Sequence, residues 1–204
     1  MTVESTNNPS NLAYTSGRLT LHVDLSTVNY SPEFQMFHCI RQVSGSHAGS
    51  GWYCDGFAAA HHLEREFPES FRILSEYDCY NRDVGSDYVD FDNIFWRPVF
   101  KLDRFGELER IFINNHLRGD RFSVKVKDSL FSWYEAYYRF MRLLHDRRRF
   151  LVPVKLRPGE IIVFDNLRVL HGRSEFELRY DEKRHLELIY CDRDLVYANA
   201  RLLA

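Results

Sequence analysis

No apolar run in this chain of 204 residues approaches the ~20 consecutive apolar residues that cross a bilayer. The opening stretch MTVESTNNPSNLAYTSG is polar, carries one acidic residue and no arginine, and has no apolar h-region. It has the marks of neither a signal peptide nor a mitochondrial presequence. Cysteine is scarce: Cys39, Cys54, Cys79 and Cys191 lie far apart and form no CxxC pair, so reduced thiols are expected rather than a zinc knuckle or a disulfide framework. The formal charge is −2 and Arg147, Arg148 and Arg149 form the one basic run, which leaves no electrostatic footprint for nucleic acid. That run reads as the solvated end of a helix, where cations suit the dipole. No internal repeat and no linker interrupts the chain. A cytoplasmic protein without membrane or nucleic-acid partners is expected, with a mitochondrial location left open.

What is present is a globular composition. Apolar residues make up 45% of the chain and aromatics 15%, with charges of both signs interspersed. The length suits one domain with a real core. Short β-rich segments recur between turn residues: RLTLHVDL, FQMFHCIRQV, RPVFKL, LERIFIN, FLVPVKL, EIIVFDN and RHLELIYC. Alternation such as Arg110-Ile111-Phe112-Ile113 suits half-buried antiparallel strands, and RPGE at 157–160 separates two strands by a turn. The fold class is therefore mainly β with flanking helices, a sandwich or barrel. Residues 55–77 read as two tandem helices, Asp55 capping the first and Pro68 opening the second. Residues 127–146 read as a third, capped by Asp128 or Ser129, with a core stripe of Phe131, Tyr134, Tyr138, Met141 and His145. SGSHAGSG at 44–51 reads as a flexible hairpin loop whose His47 has no evident partner.

Within RLTLHVDL, His22 and Asp24 stand two positions apart. On a strand such residues share a face, so an imidazole nitrogen and a carboxylate oxygen can aim at one point. A third ligand must come from elsewhere, and His171, after a strand and the turn-forming Asp165-Asn166, is the candidate. Two histidines and one carboxylate make a facial triad that leaves the opposite face of a metal open for chemistry. An HxD motif alone is weak evidence, because such pairs occur by chance. Arg184, thirteen residues beyond His171 in an apolar strand, adds weight: an unpaired guanidinium there is costly, and its planar fork suits the carboxylate of a bound cosubstrate. Ion pairing with Asp181, Glu182 or Glu187 is the alternative.

The blocks NLAYTSGRLTLHVDL, FHCIRQ, DGF, DVGSDYVDF, FINN, RPGEIIVFDNLRVLHGR and RHLELIY, in this order, resemble the γ-butyrobetaine dioxygenase group of the Fe(II)/2-oxoglutarate-dependent oxygenases. Trimethyllysine dioxygenases are close relatives of that group. The resemblance runs from about residue 10 to the C-terminus. It implies a double-stranded β-helix, a jelly roll, in agreement with the strand reading. It implies that His22, Asp24 and His171 are both the metal ligands and the catalytic centre, holding Fe(II), and that Arg184 binds 2-oxoglutarate. O2 would be the oxidant and ascorbate the reductant. The implied substrate carries a trimethylammonium and a carboxylate. Tyr14 and Tyr190 match positions of the aromatic cage, where cation attraction contributes ~0.5–2 kcal/mol per contact. Asn11 and Asn114 match the asparagines near the substrate carboxylate. On the residues alone, Tyr14 and Tyr190 are equally wall residues, Asn11 a turn former and Asn114 a strand-end cap.

Relatives in this group are longer, so the resemblance implies that their N-terminal metal-binding domain, part of the barrel and the remaining cage aromatics are missing here. Residues 1–204 are expected to form a single catalytic-type domain, with a homodimer implied by resemblance. The leading expectation is hydroxylation of γ-butyrobetaine to L-carnitine, with trimethyllysine the alternative substrate. A second reading is a shortened non-catalytic relative acting as a binding or regulatory chain. A third is a cupin-like barrel holding another divalent metal.

Overall fold

In the computed structural model, which describes residues 2–4, 14–86, 89–123, 130–178 and 182–203, the chain folds around two four-stranded sheets. In chain order the elements are β1 (Thr2–Glu4), β2 (Leu19–His22), β3 (Phe34–Arg41), β4 (Gly51–Asp55), α1 (Gly56–Glu66), α2 (Pro68–Glu76), β5 (Cys79–Ser86), β6 (Asp90–Arg97), β7 (Phe100–Leu102), β8 (Leu108–Ile111), β9 (Arg118–Phe122), α3 (Leu130–Leu144), β10 (Leu151–Val154), β11 (Ile161–Asp165), β12 (Val169–Arg173), β13 (His185–Cys191) and α4 (Arg193–Leu203). One sheet has the order β1-β13-β3-β11 and the other β10-β4-β12-β2, every pair antiparallel. Along β1–β4 and again along β10–β13 consecutive strands alternate between these two sheets, the mark of a jelly roll, so the expected fold class is what the chain adopts. Smaller sheets β6-β5-β9 and β7-β8 flank it.

The helices form for the reasons expected. The Asp55 carboxylate accepts hydrogen bonds from the Phe57 and Ala58 amides, satisfying two orphan donors of α1. Pro68 occupies the first turn of α2, where its missing N–H costs nothing. The third helix differs from expectation. Its buried face is Trp133, Ala136, Tyr137, Phe140 and Leu144, whereas Phe131 is 84% and Tyr138 54% exposed. Tyr134 and Met141 of the expected stripe do pack part-buried against the core, but the centre of the buried face lies one position earlier, because both faces of α3 carry aromatics. The expected caps Asp128 and Ser129 lie outside the described residues. α1, α2 and α3 cover one core shared with β2, β4 and β12, while a smaller core of Val3, Cys39, Leu156, Leu186 and Leu188 lies under the other sheet.

Other expectations need revision. Segment 44–51 links β3 to β4, which belong to different sheets, so it is a crossover and not a hairpin loop. Its His47 carbonyl accepts from the Ser174 hydroxyl. RPGE likewise carries the chain between sheets, with Gly159 at φ +90°. All four cysteines are free, as expected.

The contact between β2 and β12 positions the site. Their register pairs His171 with His22 and Arg173 with Leu19, with a bulge between. The extra residue is on β2, so Gly172 faces the bulge, and a Cβ on it would sit 2.7 Å from the Leu19 carbonyl oxygen and 3.1 Å from the Thr20 carbonyl carbon. Backbone cannot yield as a flexible side chain does. Gly172→Ala is therefore expected to destabilise the chain by about 1–3 kcal/mol and to weaken metal binding by pushing β2 away. Unchanged thermal midpoint and metal affinity in that variant would show that the close approach is unimportant.

Candidate metal centre

His22 ends β2 and Asp24 falls in the turn that follows, not on the strand as expected, with Leu25 beside it at φ +54°. His171 follows β11 and its Asp165-Asn166 turn, as expected, and lies within the next strand, β12. The three side chains nevertheless converge, with one potential ligand atom from each within 4.8 Å of the others. His22 Nε2 is 3.2 Å from Asp24 Oδ1, and His171 Nε2 is 3.6 Å from Asp24 Oδ2. Both histidines are 5% exposed, so an alternative as surface groups fails.

The surroundings orient each ligand. His22 Nδ1 donates to the Thr20 carbonyl at 2.8 Å, which turns Nε2 toward Asp24. His171 Nδ1 is buried without a hydrogen-bond partner among the described residues. Its ring is held by packing, with centroids 4.4 Å from His22, 5.1 Å from Phe164 and 5.6 Å from Phe37. Asp24 Oδ2 accepts from Gln35 Nε2 at 2.6 Å and from the Tyr190 hydroxyl at 2.7 Å. The Asp24 amide donates to Asn166 Oδ1, and Asn166 Nδ2 donates back to the Asp24 carbonyl. The turn is thereby locked to the end of β11.

Electrostatics match a cation site. Burial opposes charge on His22, yet the hydrogen bond and charge of Asp24 outweigh it and raise the imidazole above its usual value. Burial also opposes ionisation of Asp24, but His171 and His22 hold the carboxyl well below its usual value. Burial depresses His171. Each histidine lies beside the same carboxylate. Of the two, His22 is the more readily protonated, because its Nε2 is nearer Asp24 and its Nδ1 already donates to Thr20. An ionised carboxylate between two imidazoles, fixed by outside donors, is a donor set suited to a divalent ion.

Arg184, just before β13, is 7% exposed. Its Nε reaches the Gly49 carbonyl only at 3.4 Å, and burial lowers its pKa to about 10. Among the described residues no carboxylate pairs with it; Glu182 and Glu187 turn to the Ser44 amide and His185, and Asp181 lies outside the described residues. Gly49, at φ +63°, makes room: a Cβ there would meet Arg184 Nε at 3.1 Å. A buried guanidinium lacking an acidic partner fits a ligand carboxylate.

The proposed substrate contacts are partly brought together. Tyr190 bonds Asp24 directly, so its hydroxyl orients that carboxylate. Burial and Asp24 raise its pKa, and Tyr14 is close enough to add to that. Asn114 follows Ile113, whose carbonyl accepts from the Val23 amide at 2.8 Å, and its Oδ1 accepts from the His116 amide. Asn11 lies outside the described residues. The sequence reading missed Gln35, Asn166, Tyr53, His116 and Arg173. Tyr53 pairs across the strands with His171, and burial raises it to about 12. His116 Nε2 lies 3.2 Å from Thr20 Oγ1 and is depressed by burial and by the charge on His22. Arg173 donates to the Thr15 and Gly17 carbonyls, fixing the turn that carries Tyr14. Gln35 carried a legible signal: a polar residue in register with Phe37 on the inward face of an apolar strand.

Known proteins resemble the chain throughout. The family model described as taurine catabolism dioxygenase TauD, TfdA family matches residues 1–190. Gamma-butyrobetaine dioxygenase from Homo sapiens is 36% identical over 195 residues, covering 95% of this chain and 49% of that protein. The enzyme of that name from Pseudomonas sp. (strain AK-1) is 36% identical, covering 89% of this chain and 45% of the relative. Mitochondrial trimethyllysine dioxygenase from Bos taurus is 33% identical, covering 94% and 44%. The chain thus spans about half the length of these relatives. Among solved structures, non-heme iron oxygenase OrfP in complex with Fe and alpha-ketoglutaric acid superimposes with a TM-score of 0.68 at 17% identity, over 98% of this chain and 58% of that one. Asparagine oxygenase with Fe(II), hydroxyasparagine and succinate gives 0.67 at 20% identity, over 98% and 58%.

Two outcomes are expected from this geometry. With Mn(II) as a redox-quiet substitute, Gln35→Leu should weaken binding about 10- to 100-fold; calorimetric titration with wild-type affinity would remove Gln35 from its supporting role. The second concerns pH. His22 has its folded pKa raised above 6.5, so its stabilisation of the metal-free chain is complete below 6.5 and is lost as pH rises through the folded value. Metal must displace that proton, so its affinity should instead rise over the same interval. Thermal midpoints above pH 6.5 should diverge with and without Mn(II), and parallel curves would contradict the assignment.

Proposed function

The chain belongs to the taurine catabolism dioxygenase TauD, TfdA family, and on that premise we propose that it is a catalytic-type domain of an Fe(II)- and 2-oxoglutarate-dependent dioxygenase acting on a trimethylammonium carboxylate. The observation that carries this reading is the convergence of His22, Asp24 and His171 beside a buried Arg184 that no described acid neutralises. The substrate favoured is γ-butyrobetaine, hydroxylated to L-carnitine, because relatives of that name are 36% identical. Trimethyllysine is the second candidate, its dioxygenases being 30–33% identical.

In this reading the triad holds Fe(II), which when bound supplies O2 activation coupled to decarboxylation of 2-oxoglutarate to succinate. The chain's own residues do the rest. Thr20 and Asn166 fix His22 and the Asp24 turn, and Gln35 and Tyr190 keep the Asp24 carboxylate correctly turned. Arg184 takes the distal carboxylate of 2-oxoglutarate through charge-assisted hydrogen bonds. Phe37 and Phe164 exclude water beside His171. Tyr14 and Tyr190 offer aromatic faces to the trimethylammonium group, and Asn114 offers an amide to the substrate carboxylate. All this rests within one domain, residues 1–204.

The test is turnover by the purified chain supplied with Fe(II), ascorbate and 2-oxoglutarate, following succinate. Succinate should form faster with γ-butyrobetaine than with trimethyllysine. Arg184→Met should raise the KM for 2-oxoglutarate about 10- to 100-fold, the loss expected of hydrogen bonds to a charged group. If iron binds and no trimethylammonium substrate yields succinate, the reading falls and a non-catalytic chain replaces it.

A further inference from the structure

Behind the Asn114 turn, where β6 and α3 approach each other, lies a pit lined by the polar side chains of Asn81, Arg97, Asn114, Arg118, Trp133 and Tyr137. Each carries an N–H or O–H donor, and no carboxylate lines the pit. Its free space of about 10 Å³ is that of one water-sized sphere. Trp133 is fully buried, and its Nε1 has no hydrogen-bond partner. Arg97 is 8% exposed and lies flat between two rings, 3.7 Å from Phe95 and 4.1 Å from Phe112. It donates to the Val28 carbonyl at 3.2 Å. Arg118 donates to Asn115 Oδ1 and to the Tyr134 hydroxyl. Among the described residues neither guanidinium has an acidic partner.

A buried cation, a second half-buried one and an unmet indole donor around one small space favour something there that accepts hydrogen bonds and carries negative charge. A water would answer the donors but bring no negative charge to guanidiniums that are otherwise met by ring faces and neutral acceptors. We infer that this pit is a binding site for one halide-sized monovalent anion such as chloride. Bound there, the anion ties β6 and α3 to the Asn114 turn. Through the Ile113 carbonyl, that turn is bonded to Val23, between His22 and Asp24. The inference stands on the pit alone and does not depend on the proposed reaction.

Replacing sodium gluconate by sodium chloride at constant ionic strength, while following the thermal midpoint of the chain, tests it. Wild-type chain should show a saturable rise of several degrees in chloride that gluconate does not give. Trp133→Phe removes the unmet donor and should need about tenfold more chloride for half the effect. The reading is the chloride-dependent increment, so any cost of the substitution to the basal midpoint does not enter. Arg97→Met, which keeps the slot between the rings filled, should abolish the increment. Identical midpoints in the two salts, or an unshifted chloride response in Trp133→Phe, would overturn the inference. Half-saturation by acetate at lower concentration than by chloride would overturn the halide assignment.

Discussion

The antiparallel contact between β2 and β12 is what the rest of the site depends on. It sets His22 directly opposite His171, and the bulge at Gly172 brings the two backbones closer than any side chain would allow. Asp24 then completes the set from the first turn beyond β2. That turn is held by two hydrogen bonds to Asn166 and by the Ile113–Val23 bond, so two sequence-distant segments fix one carboxylate. Disturbing any of them would misplace a ligand without touching it.

A part-buried carboxylate between two buried imidazoles is most stable while charge is balanced. Without an ion, a proton on His22 provides the balance, and Gln35 and Tyr190 add donors on the other oxygen. This makes the site self-consistent in both states, with the cation replacing a proton rather than filling an unprepared hole. Arg184 extends the same logic: its charge, 7% exposed and met by a long bond to Gly49 and the face of Phe176, has no carboxylate partner among the described residues.

Much of this was legible beforehand. Asp55 and Pro68 announced two helices through local capping chemistry, which acts within a few residues. His22, Asp24 and His171 were named from spacing and from family resemblance, and they do converge. The geometry behind that convergence was not as read: strand period 2 would have placed Asp24 on β2, whereas a positive-φ turn places it. Long-range facts escaped altogether. Nothing local tells that Gln35 faces Asp24, that Arg173 clamps the turn bearing Tyr14, or that Trp133 and not Phe131 faces the core. Those depend on sheet register and on which of two aromatic helix faces meets the barrel.

The central claim is that His22, Asp24, His171 and Arg184 form one centre for a metal and a 2-oxo acid. It is tested most directly by anaerobic titration of the purified chain with Fe(II) and 2-oxoglutarate, following the visible charge-transfer band of the chelate. The account predicts a band that saturates at one iron per chain, disappears in His171→Ala, and needs much more 2-oxoglutarate in Arg184→Met. A chain that remains folded yet gives no band at saturating iron and 2-oxoglutarate would contradict it.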